Sequence, residues 1–251
     1  MMAVNSESFI TDPGFISVHL SPLPFTFVPV NGRMISFKAP DGNDAIAYEV
    51  IAKEAGKKKI FMFHEWWGLN DYIKQEAEKL SSETGATVIA IDLYDGHVTA
   101  DRNEASKLSS GLNETRVKAI ISGAIDYAGR ESEIQTIGWC LGGKWSMQAT
   151  LMAGPNARGC VMYYGMPETD KTRLNTLNCP VIGFFANKDQ WISPVVVGQF
   201  KKDMEAAGKK LTVFSYDADH AFANPSNPKF DKPSAEDAMQ KAINFFKANF
   251  K

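Results

Sequence analysis

Three cysteines in 251 residues, Cys140, Cys160 and Cys179, make an odd count with no close pair. That excludes a disulfide scaffold and suits a reducing compartment, so a cytoplasmic location is expected. Charge of one sign is also missing. The 27 basic and 29 acidic side chains leave a net charge of −2, which supplies no general attraction to nucleic acid or anionic lipid and excludes both as partners. No uninterrupted apolar stretch approaches the length of a membrane span. The opening MMAVNSESFITDPGF lacks a basic region followed by an apolar one, so neither a membrane protein nor a signal peptide is expected. Internal repeats, linkers and low-complexity tracts are absent too. What is present is an ordinary globular composition, 44% hydrophobic and 22% charged, with length enough for one large core. A single domain over residues 31–251 is expected, preceded by an extension, residues 1–30, whose prolines at 22, 24 and 29 make its packing unreadable.

Segments 34–39 and 45–52 flank the turn signal Pro40-Asp41-Gly42-Asn43 and predict a β-hairpin. Six short apolar runs follow, at 59–66, 87–94, 134–139, 159–165, 181–187 and 211–216. They are too continuous for half-exposed strands and suit strands buried on both faces. Amphipathic stretches lie between them at 70–84, 100–129 with a break near Gly111, 140–153, 194–207 and about 234–249. Such alternation predicts a mostly parallel sheet flanked by helices, with the antiparallel hairpin at its N-terminal edge.

The stretch IGWCLGGKWS places Cys140 on a strand-to-helix turn, at the sheet edge where open α/β folds bind ligands. A nucleophile on a tight turn needs small residues on either side, because side chains there collide with the neighbouring strand and helix; Gly138 and Gly142 hold those places. At a helix N-terminus the thiolate is favoured by the dipole and by free N–H groups. Two other readings compete. GWCLGGK matches most of a phosphate loop, but Trp145 stands where a Ser or Thr hydroxyl must bind Mg²⁺. A buried structural thiol is the other.

Partners for Cys140 occur later in the chain. Asp189 follows the apolar run VIGFFAN, and His220 follows LTVFSY. The order nucleophile, acid, histidine is that of the α/β-hydrolases. In that reading His220 takes the thiol proton while Asp189 holds the imidazole tautomer, with Asp217 and Asp219 as competitors for the orienting role. The oxyanion hole draws on the N–H of Leu141 and on one from the loop FHEWWGLN, where Trp66 is the expected donor. Asp217, Asp219 and His220 lack a second ligand pair at metal spacing, so no metal is expected.

Four motifs now carry a resemblance: HEWWGLN at 64–70, IDLYDG at 91–96, GWCLGG at 138–143, and the loops KDQWISP and DADHAFANP. Over residues 45–250 the chain resembles the dienelactone hydrolase family of α/β-hydrolases. The resemblance implies hydrolysis of small carboxylic esters or lactones through a Cys140-His220-Asp189 triad and an acyl-enzyme, without cofactor. It implies that Glu65 hydrogen-bonds the resting thiol. It also implies that Arg102 holds a substrate carboxylate, with Asn224 where a second arginine is expected, a departure that places dienelactone itself in question. Trp67 and Trp191 are expected to line an aromatic pocket. A nucleotide-binding protein and a non-catalytic member of the fold are the alternatives.

Overall fold

The computed structural model of the chain describes residues 10–54 and 56–250. Eight strands form one sheet: β1 (Gly32–Lys38), β2 (Asp44–Val50), β3 (Lys58–Phe63), β4 (Thr87–Ile91), β5 (Glu133–Trp139), β6 (Ala157–Tyr163), β7 (Val181–Ala186) and β8 (Leu211–Tyr216). Their spatial order is β1-β2-β4-β3-β5-β6-β7-β8. The hairpin β1–β2 pairs antiparallel, β2 joins β4 antiparallel, and every later pairing is parallel. This is the α/β-hydrolase fold with its antiparallel hairpin at the edge, as the alternating pattern predicts.

The continuous apolar runs are explained by alternation between two buried faces. Ile60 and Met62 of β3 and Val88 and Ala90 of β4 enter one core, with α2 (Asp71–Thr84) and α8 (Lys232–Asn249) packed on it. Phe61, Phe63, Ile89 and Ile91 enter the other, against α4 (Glu114–Ala128) and α5 (Leu141–Ala153). A third cluster joins α5, β6, β7 and α7 (Pro194–Ala206) through Met147, Met162, Phe185 and Phe200. One expectation is corrected. β8 is a sheet edge whose residues are intermediate or exposed, not a strand buried on both faces.

Two helices lie outside the sequence-based set. α6 (Lys171–Asn175) is short, and α1 (Pro13–Val18) lies in the supposedly unreadable extension. The carboxylate of Asp12 accepts from the N–H groups of Gly14 and Phe15, and Pro13 occupies the first turn, a strong start signal. The predicted helix 100–129 is two, α3 (Arg102–Ser110) and α4, parted at Gly111 as expected. From α1 the chain runs along α2. The Glu78 carboxylate gathers the N–H groups of Val30, Asn31 and Gly32 together with the Tyr48 hydroxyl. These bonds tie the end of the extension, at Val30, to the body of the fold; its residues 1–9 lie outside the described residues.

Candidate active site

Cys140 sits between β5 and α5 with φ +52° and ψ −115°, a conformation costly for any residue but glycine. The turn is that tight because backbones meet there. A Cβ on Gly138 would lie 2.0 Å from the Gly142 carbonyl oxygen, and one on Gly142 would lie 2.2 Å from that of Phe63. Both glycines are therefore steric requirements, as the motif argument expects.

The structure brings the three candidate residues into one line. His220 Nε2 lies 3.3 Å from Cys140 Sγ, and His220 Nδ1 lies 2.6 Å from Asp189 Oδ2. The other Asp189 oxygen accepts the N–H groups of Trp191 and Ile192, each at 2.9 Å. Burial alone pushes the Asp189 carboxyl up, but the charge of His220 and these hydrogen bonds outweigh it and hold the group below the usual range. Burial likewise disfavours a charged His220, yet Asp189 and Cys140 beside it raise its pKa well above the ordinary value. The competitors are elsewhere: Asp217 pairs with Lys188 and Asp219 with Lys229, both exposed. The phosphate-loop reading loses its lysine, since Lys144 donates to Glu114, and Trp145 is buried in the core.

The oxyanion candidates flank the thiol. Trp66 and Leu141 both line a space of about 30 Å³ beside Cys140, and neither N–H has a backbone acceptor among the described residues. His64, buried completely, fixes the loop that carries Trp66: its Nδ1 donates to the Glu65 carbonyl at 2.5 Å, and its Nε2 accepts from the Leu93 N–H at 3.0 Å.

Other implied contacts are different. Glu65 does not reach for the thiol: it accepts from the Tyr164 hydroxyl at 3.0 Å and from the Asn224 amide, while the sulfur faces His220. Asn224 is accordingly engaged, its oxygen accepting from the N–H and hydroxyl of Ser226. Arg102 is exposed at the start of α3 and lines neither cavity. The local motif matched, but the helix turns that side chain outward. Trp67 lines a larger cavity of about 390 Å³, with Glu65, Trp139, Tyr163, Asn224 and Phe230. This space does not include Cys140; the Tyr164–Glu65 hydrogen bond links its wall to that of the smaller one. Trp191 instead stands edge-on to Phe15 and His220.

Burial pushes the Glu65 carboxyl up to about 7, against the pull of Tyr164, His220 and Asn224. Its folded pKa is thus above the ordinary 4.5, so the stability it contributes is complete below pH 4.5 and is lost as pH rises through about 7. Glu65→Gln removes that dependence. The melting temperature of the wild type, relative to Glu65→Gln, is expected to fall between about pH 5 and pH 8, by an amount equivalent to about 3 kcal/mol. A constant difference would mean that this carboxyl is not held neutral.

The feature least visible in the sequence is the cover. Phe15 of α1 is 1% exposed and packs edge-on against Trp66, Trp191 and His220. His19, at the end of α1, is 3% exposed and packs against Trp66 and His220. Ile10 and Phe15 stand in the wall of the space at Cys140, about 30 Å³, so entry of an ester is expected to displace this segment. Truncating a buried Phe ring forfeits about 2 kcal/mol of burial, and each 1.4 kcal/mol is a factor of about ten. Phe15→Ala is therefore expected to speed alkylation of Cys140 by a bulky maleimide about tenfold or more, and by a small one less. Equal rates for both reagents in both proteins would show that α1 does not limit access.

Residues 46–250 match the model of a family described as the dienelactone hydrolase family. The chain is 26% identical over 233 residues to a protein of Aquifex aeolicus named "Putative carboxymethylenebutenolidase", covering 88% of this chain and all of that one. Among solved structures it is similar to a dienelactone hydrolase-like promiscuous phosphotriesterase from metagenomic libraries, with a TM-score of 0.75, 19% identity, and 88% and 100% of the two chains covered. A Klebsiella pneumoniae structure named "Putative Dienelactone Hydrolase" gives a TM-score of 0.72 at 23% identity, covering 87% of this chain and 99% of that one. These structural likenesses are of fold. No described helix is long and apolar enough to cross a membrane.

Proposed function

Since this chain belongs to the dienelactone hydrolase family, we propose that it hydrolyses small carboxylic esters or lactones by acyl transfer through Cys140. The observation that carries the reading is the unbroken line from Cys140 Sγ through His220 to Asp189, mounted on a strained turn. The sulfur attacks the ester carbonyl while its proton resides on His220 Nε2. The tetrahedral oxyanion is met by the N–H groups of Trp66 and Leu141. Collapse breaks the ester C–O bond, the alkoxide leaves with the proton from His220, and a thioester remains on Cys140. Water then gives its proton to His220 as it attacks that thioester; the acid departs and the thiol is restored.

The name of the Aquifex aeolicus relative, a butenolide-opening activity, supports lactones as one substrate class. The lysines in the two cavity walls, Lys79, Lys232 and Lys144, are each paired with a glutamate, which favours uncharged substrates. No arginine is among the residues around either space, so bidentate capture of a carboxylate is not available. The larger cavity, with Trp67, Ile73, Trp139, Phe230 and Met239 in its wall, offers apolar room for the remainder of an ester.

The testing experiment is intact mass within seconds of mixing the protein with an activated aryl acetate, with phenol release followed in parallel and the adduct mapped by peptide digestion. A burst of phenol with one acetyl group on Cys140 is expected. Neither adduct nor turnover in the folded protein would overturn the reading and favour a non-catalytic member of the fold.

A further inference from the structure

His19 presents an anomaly. Its Nδ1 donates to the Phe15 carbonyl at 2.8 Å, which leaves Nε2 as a bare lone pair. That nitrogen is buried and has no hydrogen-bond partner. A buried imidazole nitrogen without a partner costs free energy that the fold does not recover locally. His19 stands beside the Cys140–His220 pair: a ring nitrogen of His19, a ring nitrogen of His220 and the sulfur of Cys140 all lie within 4.8 Å of one another, and all three residues are buried.

We propose that these three residues form a binding site for a borderline-soft divalent cation, zinc, which closes the enzyme. The donor set is two imidazoles and a thiolate, the combination zinc selects, with a fourth position left for water. Zinc at about 2.3 Å from sulfur and about 2.0 Å from nitrogen places its donors roughly 3.5 Å apart. Cys140 and His220 are already at 3.3 Å, and the His19 nitrogen, within 4.8 Å of both, has to close the remaining gap of up to about 1 Å on binding. The outer partners fit as well. Zinc-bound imidazoles donate their other N–H to a carboxylate or a carbonyl; His220 donates to Asp189 and His19 to Phe15.

Binding balances simply. Cys140 and His220 share one proton, which passes to solvent as sulfur and both nitrogens take up the metal, and nothing is oxidised or reduced. The ion occupies nucleophile and base together and fastens α1 over them. The binding stands on geometry alone; the inhibition rests on the function proposed above.

The test uses the full chain, freed of metal with EDTA and exchanged into chelator-free buffer. Zinc affinity is measured by competition with a chromogenic chelator, and cobalt(II) serves as the spectroscopic probe. One ion per chain is expected, with a thiolate-to-cobalt charge-transfer band that Cys140→Ala abolishes. His19→Phe, which keeps a ring against Trp66, is expected to weaken zinc binding at least about 100-fold, since loss of a ligand exceeds the effect of losing an outer partner. Ester turnover by the wild type should fall at lower zinc than turnover by His19→Phe, each relative to its own rate in EDTA. Equal zinc affinity in wild type and His19→Phe, or a cobalt spectrum without the thiolate band, would overturn the site. A protein that shows the band but turns over no ester would keep the site and reject the function.

Discussion

Cys140→Ala is expected to lower kcat for an aryl ester by roughly a million-fold, the scale on which loss of a nucleophile from a triad is felt, and to leave a folded protein. Without sulfur no thioester forms, and His220 is left to activate water at a site shaped for a covalent step. Cys140→Ser is expected to recover little. A serine hydroxyl is far less acidic than a thiol and yields its proton to His220 less readily during attack. Burst kinetics on the two variants beside the wild type measure this, and a Cys140→Ala protein turning over within tenfold of the wild type would place the reaction elsewhere.

Asp189→Asn is expected to cost roughly 10,000-fold in kcat, the effect seen when a triad carboxylate becomes an amide. One carboxylate oxygen accepts two backbone N–H groups, from Trp191 and Ile192. The amide oxygen must take over that role, which turns the NH₂ toward His220 Nδ1. Two donors cannot face each other, so the imidazole changes tautomer and points an N–H at the sulfur. Nitrogen-15 shifts of His220 report the tautomer directly. A normal tautomer with a large loss of kcat would mean that Asp189 acts chiefly by its charge.

The sheet and the elbow were legible because their causes are local: apolar runs alternating with amphipathic ones, and glycines where backbones must touch. Cys140, Asp189 and His220 were legible because each follows its strand directly. Asp217 and Asp219 also precede His220, so chain order does not separate them from Asp189; what does is that Asp189 follows a strand of its own, β7. β8 misled because an edge strand and a buried one share the same apolar residues, and only the missing neighbour tells them apart. Asn224 and Glu65 are 159 positions apart, so no spacing announces their bond, and resemblance alone gave Asn224 a different role. For Arg102 the motif was local, but its facing was set by how α3 sits on the fold. Phe15 and His19 were hidden because a six-residue helix has no periodicity to read. The signal available was Asp12-Pro13, a cap followed by a first-turn proline, which marks a helix without saying what it covers.

The mounting of the site sets a thermal order of events. Cys140, Asp189 and His220, the proposed nucleophile, acid and base, stand just past the ends of β5, β7 and β8, strands of one hydrogen-bonded sheet, whereas the cover is one short helix capped by a single aspartate. Small peripheral units open at lower free energy than the sheet that bears them. On warming, the amides of residues 13–18 are expected to exchange with solvent while those of β5 and β7 stay protected, leaving the line from Cys140 to Asp189 intact and uncovered in that interval. The temperature optimum of such an enzyme therefore follows the helix rather than the sheet: a stiffer α1 moves the optimum upward and leaves the melting point where it was.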